Sequence, residues 1–132
     1  MVTITRKNDY RDLDLDFTAH PVTGDIITKT GPDAVGRAIR NLILTNFYDR
    51  PFRSYIGSNV HKMLFENMNS LTERNIESHV KDVISNFEPR VKVEYVKAAA
   101  DIDHNGCNVK IVYSLTNRGE IFQYTVFLKR IR

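Results

Sequence analysis

The chain reads as an α+β fold, with about three N-terminal helices packed on a small, mainly antiparallel C-terminal β-sheet. Three observations predict it. Up to Phe87 the apolar residues recur at helical spacing, and after Pro89 they alternate as in strands. The triplet Asn117-Arg118-Gly119 is a turn signal that joins the last two alternating runs as a hairpin. Pro89 itself marks the change, because it lacks an amide hydrogen and pushes Glu88 out of the helical region.

The 132 residues suit a single domain, residues 1–132, with a core of its own. An apolar content of 42% with 27% charged residues is ordinary for a globular protein. The net charge of +3 is too mild to imply nucleic acid, and Lys129, Arg130 and Arg132 make only a short basic end. A lone Cys107 cannot close an internal disulfide and suits a reducing compartment. The stretch Met1 to Tyr10 is polar, without a signal-peptide core, and no apolar run approaches the roughly 18–20 residues of a membrane helix. No membrane role is therefore expected.

In Asp12-Leu13-Asp14-Leu15-Asp16-Phe17 the alternation puts Leu13, Leu15 and Phe17 on one edge and the aspartates on the other, facing water. Gly24-Asp25 then turns the chain into a short strand at Ile26-Ile27-Thr28. A first helix opens at Thr30-Gly31-Pro32-Asp33, with proline at its first positions and an aspartate favouring its positive end. Val35, Ile39, Leu42 and Ile43 give it a buried stripe, with Arg37 and Arg40 off it. Residues 46–57 read as an aromatic loop, its Tyr48, Phe52 and Tyr55 expected to pin back onto the core. A short helix through Val60, Met63, Leu64 and Phe65 follows. The third helix starts at Ser70-Leu71-Thr72-Glu73, which matches a capping box. Ile76, Val80, Val83, Ile84 and Phe87 make its buried face, while Glu73, Glu77, Lys81 and Asp82 are expected in solvent.

Strands are predicted over about 91–99, 107–116 and 120–131. In the middle one Cys107, Val109, Ile111, Tyr113 and Leu115 share a face. The last carries Phe122, Tyr124, Val126 and Leu128 on one face and Ile121, Phe127 and Ile131 on the other. A terminal strand apolar on both faces needs a cover.

Chemical motifs are sparse. Asp101-Ile102-Asp103-His104-Asn105-Gly106 copies the start of an EF-hand loop, but Val112 stands where the bidentate glutamate belongs, and an Asp/Asn/Gly-rich hairpin turn explains it better. His104 and Cys107 have ligand-like spacing without the four ligands of a structural zinc site. Glu66 and Asp49 are the least implausible carboxylate pair for glycoside hydrolysis. No phosphate loop or Ser-His-Asp signature is present, so no catalytic residue, metal or cofactor is assigned. Glu88 and Arg90, two apart in extended geometry, form either a local brace or a docking fork.

Taken in order, Asp12–Phe17, Ala38–Thr45, Asp49-Arg50-Pro51, Ile56-Gly57-Ser58, Leu64-Phe65-Glu66 and Phe87-Glu88-Pro89-Arg90-Val91 resemble one family over nearly the whole chain. It is that of the small wedge subunits of contractile-tail baseplates, which includes the coliphage sheath initiators and the TssE component of type VI secretion baseplates. Phe47-Tyr48-Asp49 stands where many members show Gly-Glu, and Phe87 where tryptophan is common; both keep the character of the site. The resemblance implies a structural, non-enzymatic role in the virion tail baseplate, after assembly in the host cytoplasm. It implies wedge docking through Glu88, Pro89 and Arg90, with loop contacts from Asp49, Arg50, Pro51 and Arg53. The implied partners are other baseplate wedge proteins, the first ring of tail sheath subunits and the tail tube. Sheath would meet the last strand at Phe122, Tyr124, Thr125, Val126 and Leu128. Members have also been labelled lysozyme-like, which makes a peptidoglycan hydrolase the alternative.

Overall fold

Pro89 divides the molecule as its chemistry requires: helices precede it and an antiparallel meander follows. The computed structural model describes residues 10–131, so Arg132 and most of the polar N-terminal stretch lie outside the described residues. A two-stranded ribbon, β1 (Arg11–Leu13) with β2 (Thr28–Thr30), leads into α1 (Gly31–Leu44). A single turn, α2 (Val60–Met63), and the long α3 (Ser70–Phe87) follow. The sheet has the order β3 (Val91–Asp101), β4 (Gly106–Leu115), β5 (Ile121–Lys129), antiparallel throughout, so β3 and β5 are its two edges.

One face of the sheet is covered and the other is open. Cys107, Val109, Ile111, Tyr113 and Leu115 of β4 are buried, as their alternation predicts, against Val35, Ile39 and Ile43 of α1 and Ile76, Val80 and Ile84 of α3. Gly36 lets α1 approach β5: a Cβ there would sit 3.0 Å from the Tyr124 ring. A one-residue bulge at Glu94 shifts the β3–β4 register between Val93 and Tyr95.

Three expectations change. The aspartates of the Asp-Leu repeat do not face water as a set. Asp14 is buried, 3.5 Å from Arg37 and 3.9 Å from Lys29, and Asp16 is bonded to Arg37, while Leu13, Leu15 and Phe17 are exposed. Paired cations on α1 and β2 outweigh the apolar alternation here, because a short ribbon has no second layer to bury it. The α3 cap is Asn69, one residue before the predicted box, and its side chain accepts the Leu71 and Thr72 amides at 3.0 and 2.9 Å. Glu73 is thereby released from capping. It accepts the Ala100 amide, and Glu77 one turn on accepts Ala98, both at 2.9 Å, so neither carboxylate is simply solvated.

Candidate docking surfaces

The corner after α3 is built by its own termination. Glu88 caps the helix with its amide on the Ile84 carbonyl, and Pro89 prevents another turn. The two-residue spacing then brings Glu88 and Arg90 to one side. Arg90 Nε and Nη2 donate to Glu88 Oε1 and Oε2 at 2.6 and 2.7 Å, a side-on bidentate fork. Glu88 is 7% exposed, and the hydrogen bond from the guanidinium to it raises the Arg90 pKa against the opposing effect of burial. The guanidinium also lies 5.3 Å from the Tyr10 ring centroid, and Thr116 fixes the Arg90 carbonyl with its amide at 3.0 Å and its hydroxyl at 3.1 Å. The fork that the sequence assigns to a partner is thus occupied by Glu88. The two bonds to Glu88 hold the guanidinium in place, and among the described residues Arg90 Nη1 makes no hydrogen bond.

Beside the corner stands the aromatic loop. It does not pin back onto the core: Tyr48 is 83% exposed and Phe52 fully so. Tight turns build it, with Tyr48 N–H on the Ser54 carbonyl, Arg53 N–H on the Arg50 carbonyl, and the Asp49 carboxylate accepting the Asn46 amide at 2.9 Å. Tyr48 and Phe52 adopt positive φ of 72° and 64°, uncommon for bulky residues. The loop is closed where Asn46 pairs with Ser58, whose hydroxyl donates to the Ile43 carbonyl at 2.6 Å. Only glycine fits at 57, since a Cβ would meet the Asn46 carbonyl at 2.7 Å. The Tyr55 ring, 6.4 Å from that of Phe87, joins loop and corner into one surface. Asp49, Arg50, Pro51 and Arg53 are all exposed on it.

The third feature is the outer edge of β5, which pairs with no other strand among the described residues. Arg130 N–H bonds the Asn105 carbonyl at 2.9 Å, which continues the unbroken β4–β5 register. By alternation Phe122, Tyr124, Val126 and Leu128 turn their amides to β4, and Gln123, Thr125 and Phe127 turn theirs outward. Val126 and Leu128 are in the core and only Phe122 and Tyr124 are half-buried. The predicted contact set therefore divides. Val126 and Leu128 serve packing, Thr125 offers main chain to the edge, and Phe122 and Tyr124 offer rings beside it. The opposite edge, β3, is different, because Glu73 and Glu77 already hold the amides of Ala100 and Ala98. No sequence signal marks those two glutamates except their common helix face.

The remaining chemistry does not assemble at one place. Glu66 lines a cleft with Met68, Asp101, Asn105 and Arg130, and Asp49 is absent from its walls. Asp101 folds onto its own hairpin, 2.9 Å from His104 Nδ1, and that bond lowers its pKa; the EF-hand-like segment is the β3–β4 turn. Cys107 is fully buried, which pushes its thiol pKa up, and His104 is exposed. Among the described residues no group of three or more His, Cys, Asp or Glu is placed to hold a metal, and no helix is long and apolar enough to cross a membrane.

Residues 29–120 match the family of the baseplate wedge protein gp25. No curated protein sequence matches the chain. Among solved structures, a candidate tail lysozyme of Geobacter sulfurreducens is 25% identical, with a TM-score of 0.66 over 74% of this chain and 90% of its own. A chain of the anti-feeding prophage baseplate shares the fold at 19% identity and a TM-score of 0.63, over 94% and 88%. A chain of the postcontracted pyocin R2 baseplate does so at 15% and 0.51, over 83% and 96%. Ribbon, corner, loop and meander, together with that match across most of its length, show that this chain belongs to the gp25 family of baseplate wedge proteins, structural components of contractile tail baseplates.

Proposed function

We propose that the chain acts in an inner baseplate wedge as an adaptor with two separate docking surfaces. The corner Glu88-Pro89-Arg90, flanked by Asp49, Arg50, Pro51 and Arg53, engages other wedge proteins. The β5 edge receives a strand from the first ring of tail sheath subunits and so starts sheath polymerisation, beside the tail tube. The site of action is the virion tail baseplate, assembled in the host cytoplasm. The observation that carries this reading is the asymmetry of the sheet: two of β3's outward amides, those of Ala98 and Ala100, are capped by Glu77 and Glu73, and β5's are not capped by any described residue. An unpaired edge on a folded domain is a template for strand addition.

Thr125→Pro tests it. The Thr125 amide points away from β4, so proline removes an edge donor while the core ladder stays intact. Wedges carrying the folded variant are expected to assemble but not to nucleate sheath. Sheath of normal length on them would refute the assignment of β5.

A peptidoglycan hydrolase is the second reading, favoured by the likeness to the candidate tail lysozyme. Purified chain added to cell walls is expected to leave their turbidity unchanged, with Glu66→Gln and Asp49→Asn indistinguishable from the parent. Lysis lost in either variant would establish the hydrolase instead.

A further inference from the structure

The open face of the sheet carries a charge pattern that ends at the β5 edge. Register places Lys97, Lys110 and Thr125 in one row across β3, β4 and β5. Two lysines directly opposite each other repel. Lys97 is relieved by Glu77, 3.5 Å away on the α3 side. Lys110 has no carboxylate partner among the described residues, and neither do Lys92 and Lys129 of the same face. The acids on this face are already engaged: Glu94 accepts the Ser114 hydroxyl at 3.1 Å, and Asp101 holds its own turn. β5 itself contains no acidic residue. A strand added beyond β5 would lie two strand spacings from Lys110, roughly 10 Å. A lysine and a glutamate side chain together span that distance across the small Thr125.

We infer that the strand accepted at the β5 edge is acidic on its outer face: an extended partner segment with a carboxylate in the Lys97–Lys110–Thr125 row, its alternate residues apolar against Phe122 and Tyr124. The inference rests on the strand-addition reading of β5 and specifies its partner. Charge complementarity then selects the partner and its register, and main-chain bonds hold it.

The test uses the whole chain and three dye-labelled, end-blocked peptides that alternate valine with glutamate, with threonine or with lysine. Fluorescence anisotropy is expected to show the glutamate peptide binding about tenfold tighter than the threonine one. That advantage should fade as salt rises and the Debye length drops to about 3 Å at 1 M. Lys110→Glu should shift the preference to the lysine peptide, and Thr125→Pro should abolish binding of all three. Equal affinity for the three peptides, still lost in Thr125→Pro, would overturn the acidic partner while leaving the edge intact. Glutamate-peptide binding undiminished by Thr125→Pro, or no binding by any peptide, would overturn both.

Discussion

Arg90, which we propose as a docking residue, is also part of the fold. Its bidentate bond to a nearly buried Glu88 means that Arg90→Ala leaves a carboxylate without its counter-charge, not merely a docking surface without its fork. Breaking such a pair costs about 3 kcal/mol when one partner keeps some contact with water. We therefore expect a marked fall in melting temperature for Arg90→Ala, and a much smaller one for Glu88→Gln with Arg90→Gln, which removes both charges. Wedge binding should be lost in the double variant despite its stability. A stable Arg90→Ala protein would show that the pair is not a brace. The pairing of the two side chains was readable from their spacing across Pro89. The burial of Glu88 was not, because Tyr10 and Thr116, which close over the corner, are remote in sequence. Tyr113 carries a second residue-scale consequence. Burial, with smaller effects from Asp33 and Tyr124, raises its pKa to about 12 from an ordinary value of 10.0. A raised pKa means that the folded state holds the proton more tightly, so the stability linked to it is complete below pH 10 and is lost as pH climbs toward 12. Tyr113→Phe, at the cost of a 3.3 Å hydrogen bond to the Pro32 carbonyl, should flatten this part of an alkaline melting-temperature profile. An unchanged alkaline slope would assign the loss to other groups.

At the scale of elements, α3 makes the two edges of the sheet different. Its Glu73 and Glu77 lie one turn apart on the face that meets β3, and each takes an outward amide of that strand. Replacing both with alanine exposes two edge donors and removes the Glu77 partner of Lys97. The double variant is expected to self-associate at lower concentration than the parent in sedimentation velocity, because it has a second uncapped edge. A monomeric double variant would mean that these caps do not govern edge pairing. Strands, helices and their buried faces were legible because periodicity reports burial directly: Ile76, Val80, Val83 and Ile84 are where the 3.6-residue pattern puts them. Caps and edges were harder. Asn69 displaces the predicted Ser70 by one residue because its amide oxygen reaches two backbone donors together, and only that shift frees Glu73 for β3. In the aromatic loop, hydrophobicity suggested anchorage, whereas tight turns and the glycine at 57 hold Tyr48 and Phe52 outward.

Over the whole molecule the corner opens β3, one edge strand of the sheet, and β5 is the other edge strand, with β4 between them. A corner braced from within, and a sheet with one edge partly capped and the other uncapped by any described residue, suit the rigid adaptor we propose, which joins two neighbours without changing shape. The ordered segments made the family readable from sequence, while the closing of one edge needed the packing of α3 on β3 to be seen. The most direct measurement is a cryo-EM map of the assembled baseplate containing this chain. We expect in it a fourth strand hydrogen-bonded along Gln123 to Phe127, contributed by sheath, and a wedge subunit against Arg90. A β5 edge open to solvent in a baseplate that carries its sheath would contradict this reading.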